Sequence, residues 1–227
     1  MADLKTSREF WEEKAAENAA WYISSYGSYY DRDMEGFWRS GCLIWNDLKR
    51  ETGYTPKPTD IVVDIGCGIG RLTRAIAQET GHVHGFDISQ QMLEEARKLD
   101  LPNATFHQTE GNSLRPLTDK SCDLALAYNV LQHMPSTAVL GEYLHEMARV
   151  SRGWIAFTLS PRDWKTHLLP LLRVRSWLKD GKGPRGIYKS EWIGIRPPKR
   201  EVYGLSPLPL RFSSLHGDKW LFYGQVR

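Results

Sequence analysis

An α/β fold with a largely parallel sheet is what this 227-residue sequence predicts, and three observations carry the prediction. The β-branched run Ile61-Val62-Val63 leads into a glycine turn, Asp64-Ile65-Gly66-Cys67-Gly68-Ile69-Gly70. Behind it, Arg71 to Thr80 places Leu72, Ala75, Ile76 and Ala77 at helical spacing, and a second short strand, His82–Phe86, ends on Asp87. The alternation then continues through residue 159, which favours parallel strands joined by helical crossovers. Strand, glycine turn, helix, strand and acid together outline a nucleotide-binding unit, because glycines admit a close ligand and an acid can take ribose hydroxyls.

The remaining elements follow in order. Phe10, Trp11, Lys14 and Asn18 mark a first helix capped near Thr6 or Ser7. Phe37, Gly41, Ile44 and Leu48 line a second, which Gly53 stops. Between them runs an aromatic connection, Trp21 to Tyr30, and Pro56 and Pro58 punctuate the entry to the next segment. Ser89 caps a helix carrying Met92, Leu93 and Ala96, and Ala104–His107 is the third strand. Thr118-Asp119-Lys120 turns into the fourth strand, a helix spans about Thr137 to Val150, and Gly153–Leu159 is the fifth strand. Ser160-Pro161 starts a helix that Pro170 interrupts, and Gly181 to Gly186 can only be loop. Leu208–Ser214 and Lys219–Val226 read as a hairpin turning at His216-Gly217-Asp218.

The glycine turn discriminates between nucleotides. A dinucleotide fingerprint wants G-x-G-x-x-G/A; here the third glycine comes one residue early and Arg71 occupies the place of the small residue. Asp64 would repel a pyrophosphate but suits an ammonium or sulfonium. The chain resembles the class I S-adenosylmethionine-dependent methyltransferases in four places. Val62 to Gly70 is similar to the first motif, Gly85 to Ser89 to the ribose acid and following cap, Glu110 to Leu114 to the adenine-edge segment, and Asp123 to His133 to the fourth strand and the loop beside the methyl group.

That resemblance implies a three-layer Rossmann-like sandwich, with a mostly parallel seven-stranded sheet, an antiparallel C-terminal strand and an N-terminal helical cap. It implies S-adenosylmethionine as cofactor, held by Asp64, Gly66, Cys67, Gly68, Gly70, Arg71, Asp87, Ile88, Met92, Gly111, Asn112, Ser113, Tyr128, Asn129 and Val130. Asn112 stands where the family commonly has an acid, and its amide oxygen can accept the same hydrogen bond. His133 is the candidate base, with a loop or capping role as the alternative; Asp163 and His167 are further candidates. Residues 1–55 are expected to form the cap, closing over the cofactor, and 56–227 the binding domain with a substrate-side insertion at about 161–204.

Composition bounds the rest. A chain 41% hydrophobic can bury a proper core, no run of ~18 apolar residues spans a membrane, and the N-terminus lacks a signal core, so a cytoplasmic location is expected. Cys42, Cys67 and Cys122 fit neither a disulfide framework nor a zinc site, and no ligand spacing for a metal is visible. Cys67 could be a nucleophile or merely a small residue in a tight turn. Residues 162–200 hold eleven Lys or Arg against three acids, a local charge of +8 that could meet an anionic substrate, a nucleic acid or only solvent. All nine tryptophans lie outside residues 46–153, either walling an acceptor or packing helices on the sheet. The expected acceptor is small, aromatic or apolar, and anionic. A nicotinamide oxidoreductase, a nucleic-acid methyltransferase and a non-catalytic cofactor-binding subunit are the rival readings; Asn129-Val130-Leu131 lacks the Pro-Pro-aromatic continuation of amino-directed DNA enzymes.

Overall fold

A computed structural model describes residues 4–24, 33–160, 194–215 and 219–226. Its strands are β1 (Ile61–Ile65), β2 (His82–Asp87), β3 (Ala104–Gln108), β4 (Cys122–Ala127), β5 (Ser151–Leu159), β6 (Arg211–Leu215) and β7 (Lys219–Gln225). They form one sheet in the order β3-β2-β1-β4-β5-β7-β6. Only β7 runs antiparallel to its neighbours, inserted between β5 and β6. The order reverses between β1 and β4, and the carboxyl ends of those strands are where an open α/β sheet leaves a crevice.

The described helices are α1 (Leu4–Ser24), α2 (Met34–Thr52), α3 (Arg71–Ala77), α4 (Gln90–Arg97), α5 (Thr137–Val150) and α6 (Lys199–Leu205). Val63, Ile65, Ala125, Ala127, Ile155 and Phe157 bury one sheet face against Leu140, Tyr143, Leu144 and Met147 of α5. The opposite face, with Val62, Leu124, Leu126 and Ala156, packs on Ile44, Trp45 and Leu48 of α2 and Leu72, Ala75 and Ile76 of α3. Burial on both faces explains why these strands are continuous apolar runs without alternation.

α2 is therefore a layer of the sandwich and not part of a separable cap. Its apolar stripe turns inward, Asp33 caps it by accepting from the Gly36 amide at 2.8 Å, and Gly53 ends it in the left-handed region at φ 76°. Trp45 is 2% exposed. Among the described helices only α1 stands in the capping position, and it bends at Asn18, whose backbone leaves the helical region (φ −167°, ψ 81°).

β1 continues through Asp64 and Ile65, two residues beyond the β-branched run, because both pair with β2 and β4. α3 stops at Ala77 and does not reach Thr80. There the Thr80 hydroxyl donates to the Ile76 carbonyl at 2.9 Å, and the Asn103 amide takes the carbonyls of Ala77 and Thr80. These bonds satisfy groups that another helical turn would have used. The helix start at Ser160-Pro161, its interruption at Pro170, the loop at 181–186 and the turn at 216–218 lie outside the described residues.

Candidate functional site

The crevice at the carboxyl ends of β1, β2 and β4 encloses about 1010 Å³, its open mouth included. Its floor is the glycine turn. Gly66 and Gly68 both hold positive φ, 68° and 54°, and the amides of Gly66 and Cys67 donate to the Phe86 carbonyl at 2.7 and 3.0 Å. A Cβ on Gly66 would lie 2.2 Å from the Val130 side chain, so the loop after β4 closes directly on the turn.

Two buried acids face this floor. Asp87 is already oriented: one carboxylate oxygen accepts from the Gly68 amide at 2.8 Å and the other from the Ser89 amide at 2.9 Å. Burial pushes its carboxyl up to about 6, against the opposing pull of those amides. Asp64 accepts from the Thr73 hydroxyl at 2.6 Å, and burial, helped by the charge of Asp87, pushes it up to about 7. Arg71 lines the same wall, so both signs of charge meet in one apolar cleft.

Past β4, Asn129 takes a positive φ of 63°, its amide donating to the Thr158 hydroxyl and its side-chain oxygen accepting from Gln132. This strained position is one that Asn tolerates better than most residues. A 3₁₀ turn, Leu131–His133, then carries His133 to the cleft, where its ring meets the edge of Trp11 at 5.4 Å. Met134 and Pro135 continue that apolar wall, and Tyr143 reaches in from α5.

α1 supplies the roof through Leu4, Ser7, Trp11, Tyr22 and Ile23. Glu12 holds it down at the N-terminus of α4, accepting from the Ser89 hydroxyl at 2.8 Å and from the amides of Gln90 and Gln91 at 2.7 and 3.2 Å. A carboxylate there satisfies open helix amides and complements the helix dipole. On the far side of the bend, the Tyr22 hydroxyl donates to Glu17, which also pairs with the buried Lys14. Glu12→Ala should release α1: hydrogen exchange across residues 4–17 should accelerate about tenfold or more, matching the loss of one charge-assisted cap. Unchanged protection there would mean that apolar contacts alone hold the roof.

Of the residues expected from sequence, Asp64, Gly66, Cys67, Gly68, Arg71, Asp87, Ile88, Met92, Gly111, Tyr128, Asn129, Val130 and His133 all line this cleft. Gly70 does not: at φ 86° it caps α3, and a Cβ there would strike Leu99 at 2.6 Å, so it serves packing. Asn112 and Ser113 are not brought to the cleft either. The chain turns at Gly111 (φ 100°), and the Asn112 amide donates to Glu142 at 2.9 Å in a separate polar groove beside α5. Burial and the neighbouring Asp87 and Asp64 push the Cys67 thiol well up, which favours its reading as a small residue in a tight turn over that of a nucleophile. Among the described tryptophans only Trp11 lines the cleft; Trp45 is core, and Trp154 and Trp220 pack on the sheet. Asp163, His167 and most of the basic 162–200 stretch fall outside the described residues.

Which residues of the expected cap line the cleft, and the part played by Tyr143, are what sequence reasoning missed. A helical stripe does not say which cleft it covers, and Tyr143 was legible only as one face of α5. Among the described residues, no three His, Cys, Asp or Glu side chains gather as a metal site, and no helix is long and apolar enough to cross a membrane.

Residues 62–153 match the family model of a methyltransferase domain. The chain is 27% identical over 122 residues, 52% of its length, to a ubiquinone biosynthesis O-methyltransferase of Hydrogenovibrio crunogenus. It is 32% identical over 111 residues, 48% of its length, to the chloroplastic magnesium protoporphyrin IX methyltransferase of Arabidopsis thaliana. The aligned parts span 49% and 35% of those two relatives. In fold it is similar to the crystal structure of magnesium protoporphyrin IX methyltransferase from Synechocystis PCC 6803 with bound SAH. That likeness has a TM-score of 0.65 at 19% identity, covering 99% of this chain and 100% of that one. With its glycine turn, buried acid and switched strand order, the chain is similar over this segment to the methyltransferase domain, and its fold is that of the S-adenosylmethionine-dependent methyltransferases. The matched segment is the part that forms the floor of the cleft, β1 to the start of β5.

Proposed function

We propose that the protein transfers a methyl group from S-adenosylmethionine to a small-molecule acceptor. The carrying observation is the pre-set Asp87 carboxylate, locked to the Gly68 amide beside a slot where Gly111 lacks a side chain. A Cβ on Gly111 would lie 2.8 Å from Leu4 and 3.0 Å from Ile88, so the wall there leaves no room for a side chain at this position. The carboxylate takes the ribose hydroxyls, and Asp64 suits the ammonium.

When bound, the sulfonium supplies the activated methyl: the acceptor's lone pair forms the new bond to carbon as the carbon–sulfur pair returns to sulfur. The chain's own work is alignment and exclusion of water, done by Trp11, Val130, Met134 and Pro135 around the mouth. His133 accepts the proton from an acceptor that must lose one, its ring orientation held by Trp11. The acceptor is an aromatic or apolar molecule bearing an anionic group, received by this wall and by the +8 stretch at residues 162–200. The relatives named for ubiquinone biosynthesis and for magnesium protoporphyrin IX support a flat acceptor of this kind.

A nucleic-acid acceptor is favoured only by that basic stretch, and salt separates the two readings. Fluorescence anisotropy with DNA and RNA at two salt concentrations should show weak binding, against turnover of at least one small aromatic acid in a panel assayed for methyl transfer. Tight binding to nucleic acid that falls steeply with salt would replace the small-molecule reading.

A further inference from the structure

His82 and His84 stand two residues apart on β2 and so share one face of the sheet. The parallel register sets His107 of β3 opposite Phe86 on that same face, where its ring stacks on Phe86 at 4.8 Å. Strands of a parallel sheet are ordinarily apolar and covered on both faces. Three imidazoles and Thr105 break that rule at the edge strand β3, and the connection from β3 to β4 carries no helix to cover them. Thr105 is exposed and the three histidines are half-buried, so water and ions reach the cluster.

Within it, His84 Nδ1 and His107 Nε2 approach each other to 3.1 Å, their rings tilted by 42°. His82 is engaged elsewhere: its Nε2 pairs with the Thr105 hydroxyl at 3.0 Å, and its ring meets that of His84 edge-on at 4.6 Å. Zinc–imidazole bonds of about 2.0–2.1 Å at a tetrahedral angle set two ligand nitrogens about 3.3–3.4 Å apart, so an opening of about 0.2–0.3 Å seats an ion on the pair. Each neutral imidazole carries one proton. The ring that donates in the His84–His107 hydrogen bond carries its proton on the other nitrogen once it is a ligand, and no proton is lost overall. The two rings come from positions 23 residues apart, which is why no metal spacing shows in the sequence.

We propose that His84 and His107 bind a divalent cation of the zinc, nickel and copper group, with water in its remaining positions, and that this ion fastens the edge strand β3 to β2. Imidazole nitrogen suits those ions, whereas magnesium and calcium take oxygen. Neither histidine lines the cleft, so the assignment is independent of the methyl-transfer reading.

The test uses the full chain, free of any tag and stripped of metal. Titration calorimetry with zinc chloride should show saturable binding of one ion per chain. His84→Asn and His107→Gln keep a polar side chain but lose the imidazole, and each should weaken zinc at least about tenfold, the loss attached even to an outer-shell partner of a metal ligand. His145→Gln, on α5, is the control and should stay within about twofold of wild type. His82→Asn should cost less than either ligand variant. Wild type that binds no zinc, or variants at 84 and 107 that bind it unchanged, would overturn the proposal and leave a hydrogen-bonded pair only. A larger loss in His82→Asn or His145→Gln would place the ion elsewhere and overturn it as well. Electron paramagnetic resonance of the wild type with one equivalent of copper(II) stands even if a variant fails to fold. Splitting from two imidazole nitrogens is expected, and a spectrum without it refutes the pair.

Discussion

Asp87→Ala should lower the affinity for S-adenosylhomocysteine by about 1.5–3 kcal/mol, the worth of charge-assisted hydrogen bonds to two ribose hydroxyls. The carboxylate is held by the Gly68 and Ser89 amides before any ligand arrives, so binding does not have to order it. Calorimetry on a variant shown to be folded reads the loss directly, and an unchanged constant would remove Asp87 from the ribose. The site also predicts a pH limb. Asp87 and Asp64 are proposed to bind cofactor as anions, and burial raises them to about 6 and about 7. Affinity in the wild type should therefore fall as pH drops through about 7 and then 6. Asp87→Ala should lose the part of that limb that Asp87 carries and move the remaining Asp64 part to lower pH, because the charge of Asp87 helps to raise Asp64.

Gly68→Val should abolish measurable cofactor binding while leaving the protein folded by circular dichroism. Position 68 has φ 54°, which a β-branched residue avoids, and its Cβ would lie 2.5 Å from Ile23 in the roof. The Gly68 amide is also what orients Asp87, so a shift of the turn loosens the ribose acid as well. Gly204→Ala is the matched control: nothing lies within 4 Å of the added carbon on α6, and binding should be unaffected. Normal binding by Gly68→Val would mean that the turn does not touch the ligand.

Much of the fold was legible because its signals are local. The run Ile61-Val62-Val63, the glycine turn and the cap at Ser89 each announce an element within a few residues, and Thr137–Val150 is helical at the boundaries that its apolar spacing predicts. The floor of the cleft was legible for the same reason. That an N-terminal segment closes the cleft was expected, but how it is fastened was not legible, because that depends on contacts between distant segments: Glu12 reaches Ser89 and Gln90 across more than seventy residues, and nothing near Glu12 announces that partner. Asn112 misled for a related reason. Its place in a motif predicts an adenine contact, but the backbone at Gly111 turns it toward Glu142, a residue on α5. The membership of α2 in the core was likewise invisible, since an amphipathic stripe looks alike whether it faces a sheet or a partner helix.

The central claim is that this cleft binds an S-adenosyl cofactor and not a dinucleotide. Titration of the wild-type protein with S-adenosylhomocysteine and, separately, with NAD tests it most directly. The account predicts saturable one-to-one binding of S-adenosylhomocysteine and no heat of binding for NAD, whose pyrophosphate would meet Asp64. Binding of NAD with indifference to S-adenosylhomocysteine would contradict it.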